Sequence, residues 1–133
     1  MKKDFENKKL LILGANPETA NIVKVAQSLG VYAIVTDYNP DAPAKKVADK
    51  SYDIDAMDVD ALYKMATEEK VDGVLVGVAD PLISPYQKLC ERLNLPCYAT
   101  KESVYAFTNK RHFKETCAKY DIEGVPEYSI DQL

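Results

Sequence analysis

The chain has 133 residues, of which 47% are hydrophobic and 29% are charged, and its formal net charge is −4. This length is ordinary for one domain with a single core. Because phosphate binding needs a basic face, the negative charge argues against a nucleic acid as the partner. No apolar run approaches the roughly 20 residues that span a bilayer, so we expect no membrane partner either.

The N-terminus and the cysteines narrow the class further. Residues 1–8 are largely charged and carry no apolar signal core, so we expect them to be disordered and the protein to be cytoplasmic. The three cysteines show no Cys-x-x-Cys spacing, which predicts neither a disulfide framework nor a metal site. Cys90 and Cys117 fall on the apolar stripes of predicted helices and are expected to be small core residues.

The first buried strand and the turn after it form the first candidate ligand site. Residues 10–13 are four consecutive branched apolar residues, typical of a strand buried on both faces of a parallel sheet. Gly14 permits a tight turn, Asn16 is a candidate N-cap, and Pro17 suits the first helical position. Backbone N–H groups and the positive end of a helix dipole then meet above the strand, where an anion is favoured. The same features also fit ordinary turn chemistry without a ligand.

A second predicted strand, residues 31–36, ends at Asp37. In dinucleotide-binding folds an acidic residue about 20 positions after the glycine turn binds the ribose hydroxyls. The position of Asp37 fits that role, but the turn at Gly14 has one glycine where the motif requires three. A nicotinamide cofactor is therefore not favoured.

The rest of the chain continues the alternation of strands and helices. A weaker edge strand at residues 49–54 and a helix capped by Asp58 precede a fourth strand at residues 74–78. We expect Asp80 to cap a helix that begins at Pro81. After that helix we expect a short fifth strand at residues 97–99 and two helices, at residues 101–108 and 110–120.

This alternation predicts an α/β fold, a three-layer, doubly wound, Rossmann-like domain with a five-stranded parallel sheet in the order 3-2-1-4-5. Ligands of such sheets bind above the carboxyl ends of the strands at the switch point, which falls between strands 1 and 4. We expect Asn16, Glu18 and Asp80 to face one cleft above Gly14. Glu18 and Asp80 suit a cationic amine or substrate hydroxyls, and they equally fit carboxylates that stabilise a helix dipole.

Short motifs along residues 9–128 carry a resemblance to a known family. They are Leu-Gly-Ala at 13–15, Ala-Gln-Ser-Leu-Gly-Val at 26–31, Asp37, Val-Ala-Asp at 47–49, Asp-Gly-Val at 72–74, Leu-Asn-Leu-Pro at 93–96, Asn-Lys at 109–110, Phe-Lys at 113–114 and Gly-Val-Pro-Glu-Tyr at 124–128. In their order and spacing the chain resembles the N-terminal domain of the ATP-grasp ligases, among them carbamoyl-phosphate synthase large chain, biotin carboxylase and the purine-pathway enzymes. The resemblance implies a pre-ATP-grasp domain at residues 9–100 and a helical connector at residues 101–133, which leads towards an ATP-grasp domain that is absent from the sequence.

The resemblance also implies a function for the complete enzyme. ATP, with Mg²⁺, phosphorylates a carboxylate, and an amine or another nucleophile attacks the resulting acyl phosphate. The domain would bind the small-molecule substrate and contribute no catalytic residue. Its substrate-binding residues would be Gly14, Asn16, Glu18, Asp37 and Asp80. Since ATP and Mg²⁺ are bound mainly by segments absent from the sequence, we expect no turnover from residues 1–133 alone.

Lys110 is the residue that the resemblance places at the nucleotide. The family usually has an Asp-Lys pair at this point, and its lysine reaches the ATP phosphates. This chain has Asn109-Lys110, which keeps the cation but removes its acidic neighbour. A lysine suits phosphate as a point charge, although Lys110 also fits the solvated face of an ordinary helix.

Two other classes of protein stay open. A free-standing domain that binds a small molecule or a nucleotide would be complete at this length. A receiver-like module would need an acidic pair after strand 1, where the chain has Gly14, Ala15 and Asn16 instead. The sequence leaves the oligomeric state open, with a homodimer as one alternative.

Overall fold

The computed structural model of the protein describes residues 5–126, 128 and 129. Its strands are β1 (Lys9–Leu13), β2 (Tyr32–Thr36), β3 (Lys50–Tyr52) and β4 (Gly73–Val76). Its α-helices are α1 (Pro17–Ser28), α2 (Val59–Glu69), α3 (Ile83–Leu93), α4 (Lys101–Phe107) and α5 (Lys110–Lys119), and short 3₁₀ helices occupy Pro43–Lys46 and Asp80–Leu82. The predicted α/β class is confirmed.

The four strands form one parallel sheet in the order β3-β2-β1-β4. Leu11 at the centre of β1 pairs with Ile34 of β2 and with Val74 of β4. Because every pairing is parallel, the carboxyl ends of the strands lie at one edge of the sheet. The predicted adjacency of the first and fourth strands is confirmed, and with it the position of the switch point.

Side chains of β1 enter two cores, since successive residues of a strand point to opposite faces of the sheet. Leu11 and Leu13 pack in the core that includes α2 and α3, whereas Ile12 packs in the core that includes α1. All three are at most 1% exposed, and burial of one such side chain contributes about 1.5–3 kcal/mol. Helices therefore cover both faces of the sheet and hold the ends of β1, β2 and β4 in fixed positions.

The predicted fifth strand is not formed, because residues 97–99 are irregular in the described part of the chain. The backbone N–H of Tyr98 donates to the hydroxyl of Tyr86 at 3.2 Å, and the two rings stack with centroids 4.8 Å apart. These contacts direct the segment onto α3, and Pro96 has no N–H to donate to a ladder. The described sheet accordingly has four strands.

The two last helices begin at polar caps. The hydroxyl of Thr100 accepts the N–H of Ser103 at 3.1 Å, and the hydroxyl of Ser103 accepts the N–H of Thr100 at 2.9 Å. This capping box starts α4, which packs against α3 and α5. No helix within the described residues is long and apolar enough to cross a membrane.

The predictions for the chain ends fall partly outside the described residues. Residues 1–4, 127 and 130–133 lie outside the described residues. Disorder at residues 1–8 and the structure of the end of the connector therefore stay predictions. From Phe5 onward the chain forms a turn in which the N–H of Lys8 donates to the carbonyl of Phe5 at 3.1 Å. The Lys8 ammonium pairs with Asp72 at 3.0 Å.

Candidate functional site

Gly14 makes the turn that follows β1. Its φ is +83°, in the left-handed region that favours glycine, and its N–H donates to the carbonyl of Thr36 at 2.9 Å. A Cβ at this position would lie 3.1 Å from Cδ1 of Leu82, which comes from the connection after β4. The turn therefore needs glycine both for its backbone conformation and for the close approach of Leu82.

Asp37 holds this turn through its carboxylate. One oxygen accepts the N–H of Ala15 at 2.9 Å, and the other accepts the N–H of Asn39 at 2.9 Å. The ammonium of Lys45 donates to the carbonyl of Asp37 at 2.7 Å and to Asp53 at 2.6 Å. Both carboxylate oxygens of Asp37 thus have backbone donors, and the structure places this residue under the turn after β1.

The N-terminus of α1 is capped as the sequence predicts. The side-chain oxygen of Asn16 accepts the N–H of Thr19 at 2.8 Å and its hydroxyl at 2.7 Å. Pro17 occupies the first turn, and Glu18 is exposed beside it. The oxygen of Asn16 is therefore occupied by the helix, whereas the Glu18 carboxylate faces solvent.

Asp80 does not cap a helix, contrary to the prediction. It begins the 3₁₀ helix Asp80–Leu82, and α3 starts afterwards without a side-chain cap. The tighter turn places the start of α3 at Ile83, beyond the reach of an N-cap bond from Asp80. The Asp80 carboxylate is exposed and lies instead at a cavity.

That cavity has a volume of about 630 Å³ and lies between the connection after β4 and the helix α4. Pockets of this size hold small organic ligands. Its lining joins one carboxylate with hydroxyl groups and apolar surface. The lining residues are Asp80, Pro81, Ile83, Ser84, Tyr98, Ala99, Ser103, Val104, Phe107 and Thr108.

A second, smaller cavity lies at the switch point. Its volume is about 280 Å³, and Gly14, Asp37, Asp55 and Leu82 are among its lining residues. Pro81 borders both cavities, while Asn16 and Glu18 line neither of them. The structure thus brings Gly14 and Asp37 together and places Asp80 at the neighbouring, larger cavity.

Lys110 is the first residue of α5 and is exposed. Asn109 caps that helix, since its side-chain oxygen accepts the N–H of Arg111 at 3.0 Å and that of His112 at 3.3 Å. Asparagine caps a helix about as well as aspartate. The departure from the family's Asp-Lys pair therefore preserves the start of α5 and the position of the lysine.

The residues that α4 contributes to the larger cavity were not predicted from the sequence. Ser103, Val104 and Phe107 line it because α4 packs beside α3. Partial desolvation, together with the neighbouring Cys97 and Asp80, raises the pKa of Tyr98. Within residues 5–126, 128 and 129, no three His, Cys, Asp or Glu side chains lie close enough together to hold a metal ion.

The chain resembles known enzymes both in sequence and in structure. No protein-family model matches the sequence. The chain is 40% identical over 115 residues to formate-dependent phosphoribosylglycinamide formyltransferase from Methanocaldococcus jannaschii, covering 84% of this chain and 28% of the relative. It is 37% identical over 129 residues to the enzyme of the same name from Bacillus velezensis, covering 97% of this chain and 30% of the relative. The chain matches the N-terminal domain of ATP-grasp enzymes.

Solved structures of other enzymes contain the same fold as this chain. Phosphoribosylglycinamide synthetase from Anaerococcus prevotii superposes with a TM-score of 0.74 at 27% identity, over 86% of this chain and 29% of that structure. N5-carboxyaminoimidazole ribonucleotide synthetase from Thermotoga maritima gives a TM-score of 0.65 at 25% identity, over 90% of this chain and 32% of that structure. The chain spans less than a third of each of these proteins. The predicted resemblance to the N-terminal domain of ATP-grasp enzymes is confirmed.

Proposed function

We propose that this chain is the substrate-binding N-terminal domain of an ATP-grasp enzyme that joins a carboxylate to the amine of a phosphoribosyl substrate. The observation that carries the proposal is the cavity of about 630 Å³ with Asp80 at its rim, at the carboxyl end of β4. The relatives' names supply the substrate class, since they are formyltransferases of phosphoribosylglycinamide that depend on formate. Residues 9–100 form the binding domain in this proposal, and the connector at residues 101–133 contributes α4 to the lining of its cavity.

Asp80 is the residue proposed to contact the substrate directly. Its carboxylate is exposed at the cavity and makes no capping bond to its own helix. A carboxylate only accepts hydrogen bonds, which suits an amine and ribose hydroxyls. Ser103 and Thr108 add hydroxyl groups to the lining of the cavity, and Ile83 and Phe107 add apolar surface.

Gly14, Asn16, Glu18 and Asp37 are proposed to act at the adjacent turn. Glu18 is exposed and free to contact a donor group of the substrate, whereas Asp37 and the oxygen of Asn16 already hold backbone N–H groups. We therefore assign Asp37 and Asn16 the role of positioning the turn above Gly14. Leu82, which packs over Gly14, joins this turn to the wall that carries Asp80.

The described residues fit a small part of a nucleotide site. Lys110 is exposed at the N-terminus of α5 and suits a phosphate oxygen as a point charge. They do not fit Mg²⁺, because no cluster of three potential ligands is present among them. ATP, when bound in the complete enzyme, supplies the phosphoryl group that activates the carboxylate. The part played by this domain is to hold the amine in position for attack.

The proposal is tested in the complete enzyme by the substitution Asp80→Asn. Loss of a hydrogen bond to a charged group costs about 1.5–3 kcal/mol, so KM for the amine substrate should rise roughly 10- to 150-fold. KM for ATP should stay nearly unchanged. Asp60→Asn, at an exposed carboxylate of α2 that pairs with Arg92 and lines neither cavity, is the matched control. An unchanged KM for the amine substrate would contradict the proposal.

A further inference from the structure

A polar groove lies between α3, α4 and the start of α5. Its volume is about 350 Å³, within the range of small-molecule sites. The residues of α3 that line it are Ser84, Gln87, Lys88 and Glu91, which are three or four positions apart and share one face of the helix. Helices usually meet through apolar residues. Packing alone therefore does not account for a polar face at this junction.

Gln87 is buried in the wall of the polar groove. It is 8% exposed, and its amide nitrogen donates to the carboxylate of Glu91 at 3.2 Å. A buried amide needs such a partner, and the bond also positions the carboxylate beside the groove. The second oxygen of Glu91 accepts no hydrogen bond from a described residue. Glu91 thus presents a positioned acceptor for a donor group of a ligand.

Two lysines line the same groove. Lys88 lies on α3, and Lys101 is the first residue of α4. Within residues 5–126, 128 and 129, neither ammonium forms an ion pair with Glu91 or with another carboxylate. The polar groove therefore presents two cations and one anion that do not neutralise one another.

An apolar and aromatic surface completes the polar groove. Val104 of α4 is half-buried in it, and the ring of Tyr105 stacks on the ring of His112 from α5. The two ring centroids are 3.8 Å apart and the planes differ by 12°. Charges of both signs beside apolar surface match a ligand that carries a carboxylate, an ammonium and an apolar side chain.

We propose that the polar groove binds a free α-amino acid with an aliphatic side chain. The carboxylate of this ligand contacts the ammonium groups of Lys88 and Lys101. Its α-ammonium donates to the carboxylate of Glu91, which Gln87 holds in place. Its side chain lies on Val104 and on the neighbouring ring stack.

The polar groove is a different site from the larger cavity, although the two adjoin. Ser84, Val104 and Thr108 line both of them. Among the described residues that line the larger cavity, Asp80 is the only charged one, whereas the polar groove has two lysines and a glutamate. The two sites therefore select different ligands, and the amino-acid site does not depend on the proposed ligase function.

An NMR titration tests the proposal on the unaltered chain. His112 is the only histidine of the sequence, so its ring protons give one separate set of signals beside the groove. The probes are L-leucine, 4-methylpentanoate, which lacks the ammonium, and 3-methylbutylamine, which lacks the carboxylate. We expect L-leucine to shift the His112 ring signals and the amides of Lys88 and Lys101 with a millimolar Kd. Each analogue should bind about two- to fivefold more weakly, the effect of one exposed charge contact.

The variant Glu91→Gln tests the ammonium contact, and its fold should persist because this side chain is exposed. It should bind L-leucine about two- to fivefold more weakly and should not bind 4-methylpentanoate more weakly. Glu115→Gln, at an exposed carboxylate of α5 that does not line the polar groove, is the matched control. Asp80→Asn should also bind L-leucine unchanged, which separates a failure here from a failure of the proposed substrate site.

Three results would overturn the proposal. The first is no shift of the His112 signals at L-leucine concentrations up to about 50 mM. The second is equal binding of all three probes, which would show that the charges of the polar groove are not used. The third is an equal change of L-leucine binding in Glu91→Gln and Glu115→Gln.

Discussion

The carboxylate of Asp37, at the end of β2, accepts the backbone N–H of Ala15, in the turn after β1, at 2.9 Å. This bond joins the ends of two neighbouring strands at the switch point of the sheet. With the second bond, from the N–H of Asn39 at 2.9 Å, both carboxylate oxygens are occupied by the backbone. Asp37 therefore acts on the candidate site by fixing the shape of the turn above Gly14.

Replacement of Asp37 by asparagine should destabilise the fold. An amide has one acceptor oxygen, so one of the two backbone N–H groups would face the amide NH₂ and lose its partner. An unsatisfied donor costs about 1–3 kcal/mol, to be measured as the change in free energy of unfolding in urea. Asp41→Asn, in the same loop and exposed, should change it by less than about 0.5 kcal/mol. Equal effects of the two substitutions would contradict the assigned role.

Gly14→Ala should also destabilise the chain, for two reasons that act together. Alanine rarely adopts a φ of +83°, and its Cβ would lie 3.1 Å from the Leu82 side chain. We expect a loss of about 1–3 kcal/mol in the free energy of unfolding. Gly124→Ala is the matched control, because nothing lies within 4 Å of a Cβ there. A Gly14→Ala variant as stable as the control would show that the turn has another conformation.

Glu69 should make stability depend on pH in the acid range. Hydrogen bonds from Lys50 and Tyr52, and from Lys9 at 3.1 Å, lower the pKa of its carboxyl from 4.5 to about 2. Because the pKa is lower in the folded chain than in the unfolded chain, the stabilisation is complete above pH 4.5 and is lost as pH falls towards 2.

Thermal melts of Glu69→Gln across this pH range check the assignment. The variant should be less stable than the unaltered chain above pH 4.5, and the difference should shrink as pH falls towards 2. Glu68→Gln, one residue earlier and exposed, should follow the curve of the unaltered chain. A difference in stability that is constant over the whole pH range would mean that the charge of the Glu69 carboxylate does not stabilise the fold.

The isolated chain should bind ATP·Mg²⁺ weakly. Lys110 is the only family-matched nucleotide contact in the sequence, and one exposed cation contributes about 1 kcal/mol or less. Calorimetry should therefore give a Kd no tighter than about 1 mM, and Lys110→Ala should have little effect. A micromolar Kd would indicate a complete nucleotide site and would favour a free-standing binding domain.

Much of this fold could be predicted because its signals are local. The apolar run at residues 10–13 indicates a central strand, and Asn16 followed by Pro17 indicates the start of α1; the structure has both. The prediction of a fifth strand was wrong because the contact of Tyr98 with Tyr86 holds this backbone against α3. These two residues are not neighbours in the sequence, and no local sequence pattern indicates that they meet.

The candidate site was harder to predict than the fold. A helix start at Pro81 and a 3₁₀ turn at Asp80–Leu82 have similar sequence signals, since proline fits both. The start of α3 at Ile83, two residues later than predicted, decides that Asp80 lies at the cavity and does not cap the helix. The α4 side of that cavity depends on how α4 packs against α3, which is a tertiary contact and leaves no periodicity in the sequence.

The most direct test of substrate binding by this domain is an NMR titration of the ¹⁵N-labelled chain with phosphoribosylglycinamide. We predict that the largest amide shifts occur at Asp80, Tyr98 and Ser103, around the cavity of about 630 Å³, and that Asp80→Ala abolishes them without disturbing the rest of the spectrum. Shifts confined to other surfaces, or none at ligand concentrations up to about 10 mM, would contradict the proposal.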